Sequence, residues 1–252
     1  NIREFINKFS LDTWEKEKDI KPMMTPKKLV KEEIMKGDRK NAIFKTFKTY
    51  IDIVKDKIHN PTVNTNLFCD NSEYSEIIEI IEDYIFRKIY KYVFPKKSSD
   101  DDRLFHLLTV ELQWVTPEQL EMIKIPLKQL EYAKMCIKKM DYAKSVKDKL
   151  NCIRYAHASI NNAIKYSYGK ESDAGQDDLT PIFQYIIIQA QPERIFSNIN
   201  YIKCFLDENE LSGPKGFLVV QIESATSYIN KITYKDLKIS EEEFESNKAK
   251  YR

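Results

Sequence analysis

Few side chains in this chain of 252 residues are suited to bond-making chemistry, and their spacing decides what they can do. The three histidines, His59, His106 and His157, are the only imidazole bases. His59 stands in the turn-like HNPT of residues 59–62. His157 falls on an apolar helical stripe, where a hydrogen-bonded core histidine is expected. The four cysteines, Cys69, Cys136, Cys152 and Cys204, lack metal-ligand spacing and read as buried free thiols of a reducing compartment. There is no glycine loop to cradle phosphate, no paired-histidine zinc motif and no Gly-x-Ser-x-Gly elbow. No metal site, cofactor or covalent catalysis is expected. One pair of acids remains: Asp177 and Asp178 stand directly ahead of LTPIFQYIIIQA, which holds the longest apolar stretch.

Two readings of that pair are open. The acids can start a helix, with Thr180 as cap and Pro181 in the first turn, where negative charge is favoured by ~0.3–1 kcal/mol. Alternatively they are aimed at something that binds there. The segment that follows has no polar face. Ile182, Phe183, Tyr185, Ile186, Ile187 and Ile188 surround its axis, while Gln184 and Gln189 point in different directions. Such a helix is either wholly buried or partly covered by a partner.

The elements that must position these acids read as helices throughout. Hydrophobic residues make up 42% of the chain and charged residues 32%, with only five glycines, a balance that favours an all-α fold. Lys+Arg is 41 against Asp+Glu 39, a formal net charge of +2, without the concentrated basic excess of a nucleic-acid binder. The lysine pairs Lys27-Lys28, Lys96-Lys97 and Lys138-Lys139 are expected on solvated faces. No apolar run approaches the ~20 residues needed to span a bilayer. The expectation is a soluble, cytoplasmic protein, and a chain beginning at Asn1 reads as an excised piece of a longer one.

Residues 1–75 suggest several helices: a stripe of Ile2, Phe5, Ile6 and Phe9, a start at TPKKLVKEEI, and the amphipathic NAIFKTFKTYIDIVKDKI. Ile77, Ile81, Ile85, Ile89 and Val93 then recur every four residues until Pro95 stops the run. KKSSDDD (96–102) is a loop or a helix start, and TPEQL (116–120) is a Thr–Pro helix start. Val146, Leu150, Ile153, His157, Ile160 and Ile164 trace one face of a long helix. Further helices are expected over 181–191, 193–206 and 217–232. The core stripe of the last is Leu218, Ile222, Ala225, Ile229 and Ile232, with Phe217, Val220, Ser224 and Tyr228 on the opposite side.

The stretch DDLTPIFQYIIIQAQPERIFSNINYIKCFL resembles the signature of the Vps-nine domain, the exchange domain for Rab GTPases of the early-endosomal (Rab-five) subfamily. EDYIFRKIYKYVF, LQWVTPEQL, DKLNCI, NAIK and LKISEEEFE follow the same order as in Rabex-type members, so the similarity runs over about residues 80–250. Residues 1–75 resemble the short helical bundle that precedes the domain in those proteins. The resemblance implies two parts, a bundle (1–75) packed on a layered helical exchange domain (76–252). It implies a hydrophobic groove between the helices of 181–191 and 217–232 that receives the GTPase switch regions. Asp177 is then the acidic finger, and Pro181, Gln184, Ile188, Phe217, Val220, Gln221 and Ser224 are the GTPase-binding residues. The implied partner is a Rab GTPase in its GDP-bound or nucleotide-free form, met at early endosomes.

The chain departs from that pattern on its last groove helix. Members usually have Gly–Tyr at its start and Thr three residues later; allowing a one-residue deletion in LSGPKG, these align with Phe217 and Val220. Both hydroxyls are gone. A lost hydrogen bond costs ~0.5–1.5 kcal/mol, so the change either lowers exchange or suits a GTPase with more apolar switches. A helical module of the same fold that binds a GTPase or another partner without exchanging its nucleotide is the alternative.

Overall fold

The computed structural model of the chain describes residues 49, 52, 71–169, 175–206 and 208–252. Every regular element among them is helical. The chain divides into two compact units, Asn1–Val93 and Phe94–Arg252. The described part of the first is mainly helix α1 (Asn71–Val93). Ile81 and Val93 of the four-residue repeat are buried and Ile85 is half-buried; the side chains of Ile77 and Ile89 lie outside the described residues. The helix stops two residues short of Pro95, because a proline disfavours helical backbone in the residue before it. The helices expected nearer the N-terminus, with His59 and Cys69, lie outside the described residues.

The second unit begins with α2 (Asp100–Glu111), so KKSSDDD is a helix start. Ser99 caps it, accepting from the Asp102 N–H at 3.1 Å, while Asp102 accepts from the Ser99 N–H at 3.2 Å. TPEQL, by contrast, is not a helix start. Thr116 and Gln119 do make reciprocal capping bonds, at 2.9 and 3.4 Å, but only turns follow. The backbone turns left-handed at Glu121 (φ 56°) after a single turn, which ends propagation before it repays nucleation.

A 3-10 turn, Leu127–Leu130, runs into α3 (Glu131–Lys139), and Ser145 caps α4 (Val146–Tyr168). The expected stripe of α4 is buried at Val146, Leu150, Ile153, Ile160 and Ile164, but His157 is only half-buried. Then come α5 (Gln176–Ala190), α6 (Ile195–Phe205), α7 (Glu208–Ser212), α8 (Pro214–Lys231) and α9 (Glu241–Ala249). Helix α8 opens at Pro214 rather than at residue 217, since a proline suits the first helical position. Its buried residues include Val219, Ile222, Ala225 and Ile229; Leu218, expected in that stripe, is half-buried.

Helix α5 sits in the middle, packed against α2, α3, α4 and α8. Leu179, Ile182, Phe183, Ile186, Ile187, Ile188 and Ala190 are all buried. Four neighbours explain a helix that is apolar all round.

The polar residues of PERIFSNINYI hold this layer in place. Ser197 donates to the buried Asp102 carboxylate from its N–H at 3.1 Å and its hydroxyl at 2.5 Å, tying α6 to the start of α2. Asn198 donates to Asp141 at 2.8 Å and accepts from the buried Lys149 Nζ at 2.6 Å. Lys149 also donates to the Met140 carbonyl at 2.9 Å and lies over the Phe94 and Tyr201 rings. The Tyr201 hydroxyl donates to the Lys144 carbonyl at 3.1 Å, and Arg194 donates to the carbonyls of Pro95 and Lys97. A buried polar group left without a partner is costly, so each bond here secures the placement of α6.

Candidate functional site

Helix α5 begins at Gln176, with Gly175 as its N-cap, not at Thr180 and Pro181. The capping acid is Asp178: its carboxylate accepts from the Gly175 N–H at 3.2 Å. Asp177 is exposed and makes no hydrogen bond or ion pair among the described residues. Pro181 therefore lies inside the helix. Lacking an N–H, it cannot donate to the Asp177 carbonyl one turn back, and the first turn of α5 loses that bond of its ladder.

The spacing of Asp177, Pro181, Gln184 and Ile188 (+4, +3, +4) puts them on one face of α5. Exposure falls along that face. Asp177 is exposed, Pro181 half-buried, Gln184 buried and Ile188 0% exposed. Gln184 and Ile188 do not line a surface, because α5 runs inward among four helices. Tyr185, which the sequence reading left off the site, is half-buried on the same face. Burial raises its phenol pKa, helped by the charges of Glu131 and Glu118.

On α8, Phe217 and Val220 are 50% and 60% exposed, and Ser224 is exposed too. Gln221 is buried, turned off this stripe towards the packed side of the helix. Tyr228 continues the stripe, half-buried. Exposed phenylalanine and valine four positions or fewer apart on a helix that already buries a full apolar face make a second apolar face. Helices α5 and α8 pack directly on each other. Gly216 sets where this stripe starts. A Cβ there would come within 1.6 Å of the Leu211 carbonyl oxygen, so only glycine lets α7 cross the first turn of α8.

Among the described residues, the two imidazoles bond to a main-chain carbonyl and a side-chain amide. His106 Nδ1 donates at 3.1 Å to the carbonyl of Gln191, the left-handed residue (φ 50°) that ends α5. His157 is not the satisfied core histidine expected: its Nδ1 accepts from the Asn161 amide at 3.2 Å, but its Nε2 is buried without a partner. Among the described residues, no cluster of three or more His, Cys, Asp or Glu is arranged to hold a metal. Cys136 and Cys152 are buried free thiols and Cys204 a half-buried one. No described helix is long and apolar enough to cross a membrane.

Residues 130–234, which run from the last residue of the 3-10 turn through α8, match the family model of the Vacuolar sorting protein 9 (VPS9) domain. The chain belongs to the VPS9-domain family. It is 32% identical over 182 residues to the Rab5 GDP/GTP exchange factor of Homo sapiens, covering 68% of this chain and 36% of that protein. It is 28% identical over 187 residues to Vacuolar protein sorting-associated protein 9A of Arabidopsis thaliana, covering 71% of this chain and 36% of that one. With Receptor-mediated endocytosis protein 6 of Caenorhabditis elegans it shares 27% identity over 173 residues, 66% of this chain and 16% of the relative. The aligned region thus spans about a third or less of the length of these relatives.

Proposed function

We propose that this chain is the exchange module of a guanine-nucleotide exchange factor for a Rab GTPase of the early-endosomal subfamily, acting in the cytoplasm at early endosomes. The observation that carries the reading is the unequal fate of two adjacent acids. Asp178 is spent on capping α5, while Asp177 is left exposed and unpaired at the head of the same helix. Relatives named as Rab5 exchange factors support the substrate class.

The physics suits an acid in that position. A GTPase that holds Mg²⁺ and nucleotide with ~pM affinity holds them with about 16 kcal/mol, and an exchange factor must cancel several of these. A carboxylate entering the nucleotide site competes for the phosphate-binding lysine; one unit charge at ~4 Å is worth about 4 kcal/mol at an effective dielectric near 20. Phe217, Val220 and Ser224 of α8, with Pro181 and Tyr185 of α5, supply the contact that stabilises the switches in their open arrangement. The nucleotide-free state is then bound more tightly than the loaded one, and release needs no bond to form or break in this chain.

A second reading, binding without exchange, rests on the apolar stripe itself. Phe217 and Val220 offer area without hydroxyls. Release of a fluorescent guanine nucleotide from a panel of early-endosomal Rab GTPases separates the two. Stimulated release from any of them supports exchange. Tight binding of the nucleotide-free GTPase without stimulated release supports the module, and neither result with any GTPase ends both.

A further inference from the structure

The half-exposed ring of Phe217 does not stand alone. It meets the His157 ring of α4 edge to face, with centroids 6.0 Å apart and planes at 84°. His157 and Phe217 lie on two helices that pack on each other, so this contact bridges α4 and α8 at the start of the apolar stripe.

The chemistry around His157 defines its state. The Asn161 amino group, 3.2 Å from Nδ1, can only donate, so Nδ1 presents its lone pair and the proton sits on Nε2. That Nε2–H is buried and has no acceptor among the described residues. An imidazolium would instead turn an N–H towards the Asn161 amino group. Burial also lowers the imidazole pKa, in the same direction. The ring is therefore a neutral, half-buried aromatic edge carrying one unsatisfied donor. A buried donor without an acceptor is unfavourable, so hydrogen bonding does not explain a histidine here. Its other contact, the ring of Phe217, does.

We propose that His157 is a positioning residue for Phe217: its edge-to-face contact sets the angle at which the phenyl ring stands out from α8 towards a docking GTPase. This rests on the reading of Phe217 as GTPase-facing. A lone phenyl ring on a helix surface samples several rotamers and must be ordered on binding. A ring already seated loses less freedom when the partner arrives. Gly216 fixes the backbone beneath Phe217 and His157 fixes the ring, so the two act at different levels of the same feature.

The test is a double-mutant cycle on affinity for a nucleotide-free early-endosomal Rab GTPase, with melting temperature measured on every variant. An aromatic pair of this kind is worth about three- to tenfold in an equilibrium constant, divided between the free fold and pre-organisation for binding, so His157→Ala should weaken binding by about two- to tenfold with at most a small fall in melting temperature. In a Phe217→Ala background the same substitution should change binding by less than about twofold, because contacting residues are non-additive. His157→Phe keeps the aromatic edge and removes the orphan donor, so it should restore parental affinity. Additive losses, a His157→Phe variant as weak as His157→Ala, or unfolding by His157→Ala would each overturn the proposal.

A second arm needs no GTPase. In the free protein, imidazole ¹⁵N shifts should report the Nε2-protonated tautomer, and Phe217→Ala should move the His157 ring-proton resonances. Reciprocally, His157→Ala should bring the Phe217 ring shifts to free-phenyl values. If the parent binds no GTPase but these shifts behave as stated, the exchange reading fails and the seating of Phe217 stands. Unchanged shifts overturn the seating whatever the GTPase does.

Discussion

The Gly175 N–H donates to the Asp178 carboxylate at 3.2 Å, and that one bond separates two adjacent acids that look equivalent as letters. It commits one acid to the helix start and leaves its neighbour exposed. Asp178 serves the main chain of α5; Asp177, one residue back, projects into solvent.

Asp177→Ala is expected to abolish stimulated nucleotide release while changing stability by less than about 1 kcal/mol, as for an unpaired surface acid. Asp178→Ala should do the reverse. It loses a capping interaction and should destabilise by about 1 kcal/mol, leaving most of the exchange rate. Nucleotide-release kinetics and denaturant titration on the two variants decide it. Equal damage from both would return Asp177 to the helix start.

Removing the Phe217 ring should weaken GTPase binding by ~2 kcal/mol or more, as for a central aromatic anchor, and should spare the fold because half the ring is already in solvent. Phe217→Tyr should be tolerated and raise the exchange rate by restoring a hydroxyl. Calorimetric affinity beside melting temperature reads both. A Phe217→Ala protein that unfolds but keeps normal residual exchange would put Phe217 in the core.

Lys149 offers a pH signature independent of any partner. Burial lowers its pKa from 10.5 to about 7. In the unfolded chain the amine stays protonated well above pH 7, so the unfolded state binds more protons between those two values and stability rises with pH there. The window is bounded above by Cys152, whose thiol burial raises from 9.0 to about 11; the unfolded thiolate forms first, so above pH 9 its opposite slope offsets that of Lys149 and the profile levels off. Denaturant midpoints should therefore climb from pH 7 to 9 in the parent, and Lys149→Met should flatten that slope. A parent with a flat profile would mean that the bonds to Met140 and Asn198 hold the charged form in place.

At Gly216 the expected cost is steric. The Cβ of Gly216→Ala would meet the Leu211 backbone at 1.6 Å, which no side-chain rotation relieves. Overpacking of this kind costs about 1–3 kcal/mol, and here it must also push α7 off the first turn of α8. A lower denaturant midpoint should accompany altered Phe217 ring resonances. An unchanged midpoint would show that the α7 crossing is dispensable.

Much of this was legible in the letters because it depends on periodicity and local chemistry. The long stripe from Val146 to Ile164, the stop before Pro95 and the apolar segment 182–188 are properties of neighbouring residues, and helix formation acts on neighbours. The VPS9-like order of motifs was legible for the same reason, and so was the placing of Phe217 and Val220 opposite the core stripe of their helix. TPEQL misled because a capping pair is only a local signal. It formed its bonds and still gave no helix once Glu121 turned left-handed.

Only the tertiary structure could decide which apolar or amide side chains stay accessible. Gln184, Ile188 and Gln221 have the right spacing for a groove, yet burial depends on which helices close over each position, and α5 has four of them. The polar residues of PERIFSNINYI looked like part of a recognition signature and proved to bind the fold together, through partners up to 99 positions away such as Pro95 for Arg194. His157 looked like core and lies half-buried under Phe217, a contact between residues on separate helices. Spacing along one helix determines a direction around its axis; what waits in that direction is set by chain packed there from elsewhere, and no local pattern encodes it.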